Sequence, residues 1–385
     1  MKVLHVAPSI EQSYGGPTQS LAGYAVASRT AGIDVSIAAP RCSAADLEVF
    51  KAIAGPVDLH LFPSIGHGGF VTSPDLVAWV RKHARQYDAV HVHGLFNPTS
   101  SLSARTAIAA KTPTVIRPFG TLSKYTFYHR RTPLKHVWFS RIERPNLTAA
   151  RAIHFTTDRE RSEAEWHSID FSGRAHVVPP PSLDSVTREK SAAHSDDGIV
   201  LFVGRINPIK NLEALINAWP IVRSKTPHLL LEIVGDGDES YVNELRERVR
   251  LKGMDSSVIF RGFLRGEAKE KALARARLFV LPSHHENFGL AALEAISAGI
   301  PVVLSHEVQL ADFVERERLG KITETAPEAL AESILEVSAN LSLIESVRTR
   351  GADVVSANFS PAAIGQLLSK MYQAAMEPIA ERASI

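Results

Sequence analysis

The chain has 385 residues, and at roughly 150 residues per domain this length predicts two or three domains. Hydrophobic residues make up 45% and charged residues 22%, a balance that is typical of a soluble globular protein and excludes the disordered and fibrous classes. The formal net charge of +2 is far from the strongly basic balance of a nucleic-acid-binding domain, so we expect no nucleic-acid partner.

The amino-terminal half alternates short aliphatic runs with segments of helical length. This alternation is typical of parallel sheets covered by helices on both faces, so residues 1–182 are predicted to form one doubly wound α/β domain. The first run lies in MKVLHVAPSI, which lacks the apolar stretch and cleavage site of a signal peptide. The predicted strands are Val3–Val6, Val35–Ala39, Leu59–Phe62, Ala89–Val92, Thr114–Ile116 and Ile153–Phe155.

Paired glycines follow the first predicted strand. In SYGGPTQS, Gly15 and Gly16 precede Pro17, and proline is favoured in the first turn of a helix. Glycines permit a ligand to approach the backbone closely, and the loop after a first parallel strand lies at the sheet edge where open α/β sheets bind ligands. A plain tight turn explains the same two residues.

A polar linker separates the two halves. After Val178 the sequence PPPSLDSVTREKSAAHSDDG offers nothing to bury, and beyond it the alternation restarts. We therefore predict a second doubly wound domain over residues 198–360 and a final helix over 361–385. This helix could pack on either domain, and the amino-terminal domain is the preferred one. The predicted strands of the second domain are Ile199–Val203, Leu229–Val234, Val258–Phe260, Leu278–Leu281 and Pro301–Leu304.

Two cations follow the first strand of the second domain. In GRINPIKNLEALI, Arg205 and Lys210 lie in the loop before a helix that begins near Asn211. A planar guanidinium and a mobile ammonium beside a helix amino terminus would clamp a diphosphate. The alternative is a solvated loop in which Asn211 caps the helix.

The stretch RLFVLPSHHENFGLAALEAISAGIPVVL predicts a buried strand, a polar loop, a helix that opens at a glycine, and a second strand. Glu286 lies in the loop and Glu294 about two turns into the helix. The first turn of a helix leaves its backbone N–H groups unpaired and able to bind phosphate, whereas the two carboxylates would accept hydrogen bonds from sugar hydroxyls. An exposed helical glutamate is the alternative for Glu294.

The run GDGDES after Val234 suggests two rival sites. It begins like a dinucleotide-binding fingerprint, but Ser240 stands where a third glycine is expected, which weakens a dehydrogenase interpretation. The spacing of Asp236 and Asp238 suits a metal-bound diphosphate, but a polar turn explains it more simply. We therefore expect no metal site, no cofactor, and activity that survives a chelator.

The glycine pair, GRINPIKN, and the two glutamates with seven residues between them in HENFGLAALEAISAGIPVV together resemble the retaining glycosyltransferases of family 4. The resemblance covers nearly the whole chain. It implies the GT-B fold, in which two Rossmann-like parallel-sheet α/β domains face each other across a cleft. It also implies transfer of a sugar from a UDP- or GDP-linked donor to an acceptor hydroxyl with the anomeric configuration kept.

The resemblance assigns roles by position. Arg205 and Lys210 would hold the donor diphosphate and stabilise the leaving group, with Gly16 closing on it from the other domain. Glu286 would bind the transferred sugar and Glu294 the ribose. The leaving diphosphate would itself take the acceptor proton, so transfer would need no carboxylate nucleophile. The remaining donor-binding candidates are Gly15, Arg261, Phe263, Asn287, Phe288, Gly289 and Leu290.

On the acceptor side, many relatives place a histidine at the end of an amino-domain strand. Here VHVHGLF offers His93 as a catalytic candidate, and VIRPFGTLSKY offers Arg117 and Gly120 as acceptor-side candidates. A strand-end histidine bonded to a backbone carbonyl is the alternative for His93. A glycan or lipid-linked acceptor in bacterial polysaccharide or glycolipid assembly is the expectation, by analogy with the family.

A basic segment interleaved with aromatic residues extends from Lys111 to Arg151, where Glu143 is the one acidic residue. It suits an anionic bilayer surface beside a lipid-linked acceptor, which we prefer to single-stranded nucleic acid; a solvated basic face is the alternative. Its basic residues are Lys111, Arg117, Lys124, Arg130, Arg131, Lys135, Arg141, Arg144 and Arg151. Its aromatic residues are Tyr125, Phe127, Tyr128, Trp138 and Phe139.

The lone Cys42 permits no internal disulfide and fits a reducing cytosol, so we expect a cytoplasmic protein. The basic segment adds the expectation of a peripheral position on the inner face of the membrane. Two other functions agree with a nucleotide-sugar cleft. A nucleotide-sugar epimerase of the same fold would need no separate acceptor, and a catalytically silent binding protein would show no turnover.

Overall fold

The computed structural model describes residues 1–66, 71–128, 132–183 and 198–377. Its contacts divide the chain into two compact units. Unit 1 comprises Met1–Pro181 together with the segment that begins at Phe359, and unit 2 comprises Ser182–Asn358. Most of the predicted linker, residues 184–197, lies outside the described residues, as do Arg130 and Arg131 of the basic segment.

Every strand predicted from the sequence is confirmed, with ends that differ by a few residues. Two further strands, β7 and β13, were missed because each is short, lies at a sheet edge and buries its side chains only in part. The strands are β1 Lys2–Val6, β2 Asp34–Pro40, β3 Asp58–Phe62, β4 Ala89–His93, β5 Thr114–Arg117, β6 Ala152–Phe155, β7 Ala175–Val177, β8 Ile199–Val203, β9 Leu230–Val234, β10 Val258–Gly262, β11 Ala276–Leu281, β12 Val302–Ser305 and β13 Gly320–Thr323.

Unit 1 is a doubly wound domain. Its described strands form one parallel sheet in the order β3-β2-β1-β4-β5-β6-β7, with helices covering both faces. The helices are α1 Gly16–Thr30, α2 Ala44–Ala54, α3 Pro74–His83, α4 Pro98–Ala109, α5 Lys124–Tyr128, α6 Thr132–Trp138, α7 Arg144–Ala149 and α8 Asp158–Ala164, with a π-helical turn at Phe139–Glu143.

Unit 2 repeats the plan. Its described strands form a second parallel sheet in the order β10-β9-β8-β11-β12-β13. Its helices are α9 Leu212–Lys225, α10 Glu239–Leu251, α11 Glu267–Ala274, α12 Leu290–Ser297, α13 Ala311–Arg316, α14 Pro327–Ala339 and α15 Leu341–Phe359.

The last described helix, α16 Pro361–Met376, packs against α1 in unit 1. Ile364, Leu368 and Met371 join the core on that face of the sheet. The two helices come close at Gly365, where an added Cβ atom would lie 2.3 Å from the carbonyl oxygen of Ala27. The helical periodicity of the carboxyl-terminal segment therefore reflects a face buried on unit 1.

In both sheets the order in which successive strands are added reverses beside the first strand. This switch lies between β1 and β4 in unit 1 and between β8 and β11 in unit 2. Ligands of open α/β sheets bind at such points, beyond the carboxyl ends of the strands. The predicted site residues Gly15, Gly16 and His93 follow or end the central strands of unit 1. Arg205 and Glu286 follow those of unit 2.

Candidate functional site

The loop that carries Arg205 is fixed by the loop after β9. The amide of Gly204 donates to Val234 O at 3.0 Å, and that of Ile206 donates to Asp236 O at 2.8 Å. Gly235 permits this approach, since an added Cβ atom would lie 1.8 Å from the carbonyl oxygen of Gly204. Two strand-end loops of unit 2 are thereby held in backbone contact.

This contact explains GDGDES. At Gly237 an added Cβ atom would lie 1.9 Å from Ile206 O, so both glycines allow loop packing. Asp238 caps α10 by accepting from the amide of Tyr241, and Asp236 accepts from the amide of Gly237. The polar-turn interpretation is confirmed, since the glycines and aspartates of this run all have structural partners.

The side chain of Asn211 does not cap α9. Asn211 adopts the left-handed conformation with φ 54° and is 5% exposed. Its side-chain nitrogen Nδ2 donates to Pro282 O at 3.2 Å and to Thr325 O at 3.4 Å, which ties the start of α9 to the segments that follow β11 and β13. The capping part of the alternative is therefore wrong, whereas the exposed Arg205 agrees with its solvated loop.

Lys210 and Glu286 form an ion pair that joins the loops after β8 and β11. Their side chains are 16% and 21% exposed, so the pair is shielded but reachable from solvent. The backbones of the two loops also meet, because the amide of His284 donates to Ile209 O at 2.8 Å. The structure thus brings together two residues that lie 76 positions apart in the sequence.

The neighbouring loop after β12 fixes the backbone of Glu286. Its amide donates to Glu307 O and its carbonyl accepts from the amide of Gln309, both at 3.0 Å. Arg205, at the end of β8, is exposed. The edge therefore presents an exposed guanidinium and a shielded ammonium–carboxylate pair.

Helix α12 begins directly after this ion pair. Gly289 precedes its first residue, Leu290, with φ 100°, and an added Cβ atom would lie 3.0 Å from the side chain of Val308. Only glycine combines this conformation with so little space. Phe288 is buried, whereas Asn287 is partly exposed on the loop.

The predicted depth of Glu294 in the helix is wrong. Because the left-handed Gly289 delays the helix start to Leu290, Glu294 is the fifth helical residue, about one turn in. Its carboxylate accepts from Lys269 Nζ of α11 at 2.5 Å, with the two side chains 19% and 22% exposed. The exposed-glutamate alternative is therefore wrong as well, and Lys269 is a site residue that sequence reasoning missed.

Arg261 and Phe263 lie at and just beyond the end of β10. The guanidinium of Arg261 pairs at 2.5 Å with the buried carboxylate of Glu232 on β9, and this partnership raises the Arg261 pKa. Phe263 exposes 59% of its surface. The guanidinium carbon of Arg265 lies 5.6 Å from the centroid of the Phe263 ring, and an exposed ring with a cation nearby is suited to a planar ligand ring.

In unit 1 the glycine pair lies at the start of α1. Gly15 has φ 69° and Gly16 begins the helix with no atom within 4 Å of an added Cβ position. The positive φ angle shows that Gly15 serves the turn, so the plain-turn alternative holds for that residue. Gly16 leaves the helix amino terminus open to an approaching group.

His93 ends β4 and is 1% exposed. Its Nε2 atom lies 2.9 Å from Nδ1 of His5, and its Nδ1 atom has no hydrogen-bond partner among the described residues. The alternative of a histidine bonded to a backbone carbonyl is therefore wrong. Its strand neighbour in β5 is Arg117, whose side chain is also buried.

Arg117 is a core residue. It donates to Ser20 Oγ at 3.0 Å and Thr156 Oγ1 at 3.3 Å, and its guanidinium carbon lies 4.0 Å from the ring centroid of Phe119. Burial lowers its pKa. The expectation that Arg117 belongs to an exposed basic surface is wrong, because helices cover both faces of the sheet at β5 and all four of its residues are buried.

Gly120 follows a turn and is fixed by a buried carboxylate that the sequence did not reveal. Its amide donates to Glu160 Oε1 at 2.5 Å, and the amide of Thr156 donates to Glu160 Oε2 at 2.6 Å. Burial raises the Glu160 pKa, while the amides and the guanidinium of Arg117 oppose this rise. The acceptor-side candidates Arg117 and Gly120 thus share one buried network.

Three buried histidines surround His93, and the four together give a test of the stability of unit 1. Burial, with a smaller effect of the Arg117 charge, lowers the His5 pKa from 6.5 to about 3. Burial likewise holds the pKa values of His91, His93 and His154 well below 6.5. Below pH 6.5 the unfolded chain therefore binds more protons than the folded chain, so stability is full above this pH and is lost as the pH falls towards 3.

We expect the free energy of unfolding of unit 1 to fall by up to about 1.4 kcal/mol per histidine for each pH unit below 6.5. Hydrogen exchange during urea unfolding at pH 7.5 and pH 5 measures both units in one sample. Unit 2 is the internal control, because its described residues contain no such cluster. Equal destabilisation of the two units would contradict the prediction.

Ring nitrogens of His5, His91 and His93 lie within 4.8 Å of one another, close enough to be considered for a metal ion. The His91 and His93 rings are stacked with centroids 4.2 Å apart, and a stacked pair aims its nitrogens poorly at one central ion. Metal independence stays a prediction.

Comparison with known proteins agrees with the two-unit architecture. Residues 197–340 match the family model for "Glycosyl transferases group 1", and residues 15–181 match the model for a "Glycosyl transferase 4-like domain". Together the two models cover most of both units. In the part of the chain that the structure describes, no helix is both long and apolar enough to cross a membrane.

Several curated proteins are similar to the chain. An uncharacterized glycosyltransferase of Methanocaldococcus jannaschii is 30% identical over 192 residues, which cover 49% of this chain and 48% of the relative. The mannosylfructose-phosphate synthase of Agrobacterium fabrum is 28% identical over 34% of this chain and 32% of its own. The chain thus matches half or less of the length of these relatives. The phosphatidyl-myo-inositol mannosyltransferase of Propionibacterium freudenreichii is 23% identical over 97% of this chain and 95% of its own.

Solved structures share the fold. The Anabaena protein HepE, crystallised with UDP and glucose, has a TM-score of 0.73 at 18% identity over 97% of this chain and 99% of its own. The sucrose-phosphate synthase of Thermosynechococcus elongatus has a TM-score of 0.70 at 20% identity over 97% and 98% of the two chains. At these identities the likeness shows the architecture alone.

Proposed function

The chain belongs to family 4 of the glycosyltransferases, which have the GT-B fold, and on that premise we propose that it transfers a sugar from a nucleoside diphosphate donor to an acceptor hydroxyl with retention of configuration. The observation that carries the proposal is the Lys210–Glu286 ion pair, which joins the loop that also carries Arg205 to the loop that leads into α12. It places a cation for phosphate directly beside a carboxylate for sugar hydroxyls.

The proposed reaction is the one that the family resemblance implies. The bond between the anomeric carbon and the diphosphate oxygen breaks, and its electron pair stays on the diphosphate. The acceptor oxygen then bonds to the same face of the anomeric carbon, and its proton passes to the leaving diphosphate. Arg205, Lys210 and the amides that open α12 stabilise the negative charge that grows on the leaving group. No carboxylate nucleophile is required.

The other donor contacts extend from this centre. Glu294, fixed by Lys269 about one turn into α12, accepts hydrogen bonds from the ribose. Phe263, which is largely exposed, lies against the base, and Arg261 is fixed beside it by Glu232. In unit 1, Gly16 leaves the amino terminus of α1 open. A uridine or guanosine diphosphate sugar fits this set, and none of these contacts requires a metal ion.

Calorimetry with UDP, GDP, ADP and NAD tests the donor site. We expect one nucleoside diphosphate to bind, with EDTA present or absent, and the double variant Arg205→Ala/Lys210→Ala to bind it at least about 100-fold more weakly, because two charge-assisted contacts are lost. Arg250→Ala/Lys271→Ala removes equal charge from exposed residues of unit 2 and serves as the control. Preference for NAD, or equal weakening in both variants, would contradict the proposal.

The acceptor is proposed to be a glycan or a lipid-linked sugar of bacterial polysaccharide or glycolipid assembly. The relative from Propionibacterium freudenreichii is named for transfer to a phosphatidyl-inositol lipid, and it is similar to this chain over nearly its full length. His93, at the end of β4, is the catalytic candidate of unit 1 on the acceptor side. Arg117 and Gly120 act there as positioning residues, because both are held in the buried network of Glu160.

The surface of α5 and α6 suits the anionic cytoplasmic leaflet of a membrane. Tyr128, Leu134 and Val137 expose between 52% and 60% of their surface, and the exposed Lys124 and Arg141 lie in the same segment. Apolar side chains among cations are the pattern that binds anionic bilayers. Phe127 and Phe139 of the predicted surface are instead buried.

We expect the protein to sediment with vesicles that contain an anionic phospholipid at low salt, and to be released as salt rises. Leu134→Ser/Val137→Ser should reduce the bound fraction by removing apolar contacts. Leu251→Ser/Leu341→Ser, at residues of unit 2 that are 72% and 69% exposed, is the control. If native protein stayed in the supernatant at low salt, the membrane proposal would be lost.

Turnover separates the proposed transferase from its rivals. An epimerase would convert the bound nucleotide sugar into an isomer without releasing diphosphate, and a silent binding protein would leave it unchanged. The measurement is release of free nucleoside diphosphate from the donor that calorimetry identifies.

A further inference from the structure

Four histidines of unit 1 lie on one face of its sheet. His91 and His93 alternate along β4, and alternate residues of a strand point to the same face. His5 pairs in register with His91, and His154 lies on β6. All four are at most 1% exposed, beneath the face that α1 and α16 cover.

These rings form one continuous hydrogen-bonded chain that includes Tyr372 of α16. His154 Nε2 lies 2.6 Å from Val178 O, and His154 Nδ1 lies 3.2 Å from His91 Nε2. His91 Nδ1 lies 2.8 Å from the Tyr372 hydroxyl, which lies 3.3 Å from His5 Nε2. His5 Nδ1 lies 2.9 Å from Nε2 of His93.

The direction of donation along this hydrogen-bonded chain is set at one end, where His154 meets the carbonyl oxygen of Val178. A carbonyl oxygen can only accept, so His154 must carry its proton on Nε2 and, being neutral, accepts on Nδ1 from His91 Nε2–H. His91 Nδ1 is then bare, so the Tyr372 hydroxyl donates to it, and the Tyr372 oxygen accepts from His5 Nε2–H. Any reversal would place two lone pairs or two protons face to face.

Neutrality of the rings supports this order. Burial lowers the pKa of each histidine, and the Arg117 guanidinium further opposes a positive charge on the rings. Burial also raises the pKa of Tyr372, so its hydroxyl keeps the proton that it donates. Because each ring holds a single proton, the direction of donation that Val178 imposes determines the donor and the acceptor of every hydrogen bond in the chain.

We propose that this chain fixes His93 as the neutral tautomer with its proton on Nε2 and a bare Nδ1, and that Tyr372 is the positioning residue that transmits the direction of donation from β6 and β4 to β1. His5 Nδ1 must accept, so His93 Nε2 donates to it. His93 Nδ1 is then an acceptor, and it is the end of the chain without a partner in the described protein. This atom is buried, so a group can meet it only inside unit 1, and such a group must donate a hydrogen bond, as a hydroxyl does.

Nitrogen-15 NMR of histidine-labelled protein reads the tautomers directly, without turnover. At pH 7 we expect one-bond proton coupling on Nε2 of His93 and the shift of an unprotonated nitrogen on Nδ1. A proton on Nδ1, or on both nitrogens, would overturn the proposal. This readout does not depend on the proposed transfer reaction, so the two can fail separately.

The variant Tyr372→Phe removes only the hydroxyl that bridges His91 and His5. We expect His5 and His93 to become mixtures of tautomers, while His154 stays fixed by Val178. Tyr24→Phe is the matched control: this second buried tyrosine also donates to Val178 O, at 3.0 Å, but lies outside the chain. An unchanged His93 tautomer in Tyr372→Phe would refute the positioning role.

A kinetic comparison, which rests on the proposed function, follows from the same variants. Tyr372→Phe should lower kcat about tenfold through the lost orientation of His93, with nucleotide affinity unchanged because the charged donor candidates Arg205, Lys210 and Glu286 lie in unit 2. Tyr24→Phe should leave kcat within about twofold of the native value. Equal loss in both variants would show a merely structural role for Tyr372.

Discussion

Replacing Lys210 with alanine is expected to lower kcat for release of nucleoside diphosphate from the donor by about 10²- to 10³-fold. The ammonium group stabilises charge that grows on the diphosphate in the transition state, and the Glu286 carboxylate fixes its position. Loss of the pair leaves Glu286 partly shielded and without its cation, which disturbs the sugar contact as well. Single-turnover kinetics with saturating donor measures this step apart from binding.

Glu286→Ala should be similarly damaging, since it removes the sugar contact and releases Lys210. Lys271→Ala is the matched control, because Lys271 also pairs with a glutamate of unit 2, but both side chains are at least 71% exposed. Exposed pairs contribute little, so this variant should keep native turnover and stability. If Lys210→Ala and Glu286→Ala both retained native kcat, the assignment of the catalytic centre would be wrong.

Replacing Gly235 with alanine is expected to destabilise unit 2 by more than about 4 kcal/mol. The added methyl group would lie 1.8 Å from the carbonyl oxygen of Gly204, so the loops after β8 and β9 must separate. Their separation would break the hydrogen bond from Gly204 to Val234 and displace Arg205. Urea unfolding followed by hydrogen exchange in β8 and β9 measures the loss, and nucleotide binding should weaken with it.

The control for Gly235→Ala is Gly253→Ala. Gly253 also has a positive φ angle, 64°, but no atom lies within 4 Å of its added Cβ atom. Its substitution should cost only the backbone strain of a left-handed alanine, about 1–2 kcal/mol. Equal unfolding midpoints for the two variants would show that the loop contact is not what requires Gly235.

Much of the fold could be predicted because strands of a covered parallel sheet are continuous apolar runs. The eleven predicted strands carry that pattern, whereas β7 and β13 lie at edges and bury too little to show it. In the site, GRINPIKN and the two glutamates could be recognised because their spacing is local to one loop and one helix. The ion-pair partners of the site residues could not be recognised in this way. Lys269 lies 25 residues before Glu294, and Glu232 lies 29 residues before Arg261.

By itself, the sequence determined that this protein has two parallel-sheet domains and belongs to a glycosyltransferase family, because residues close together in the sequence indicate both properties. Only the tertiary structure decided which polar residues are buried and what they contact. Arg117, taken from the sequence as part of a basic surface, is a core residue, and His93 is one end of a chain that reaches Tyr372, 279 positions further along. Such contacts depend on which strands become neighbours and which helix covers them, and no spacing along the chain encodes that.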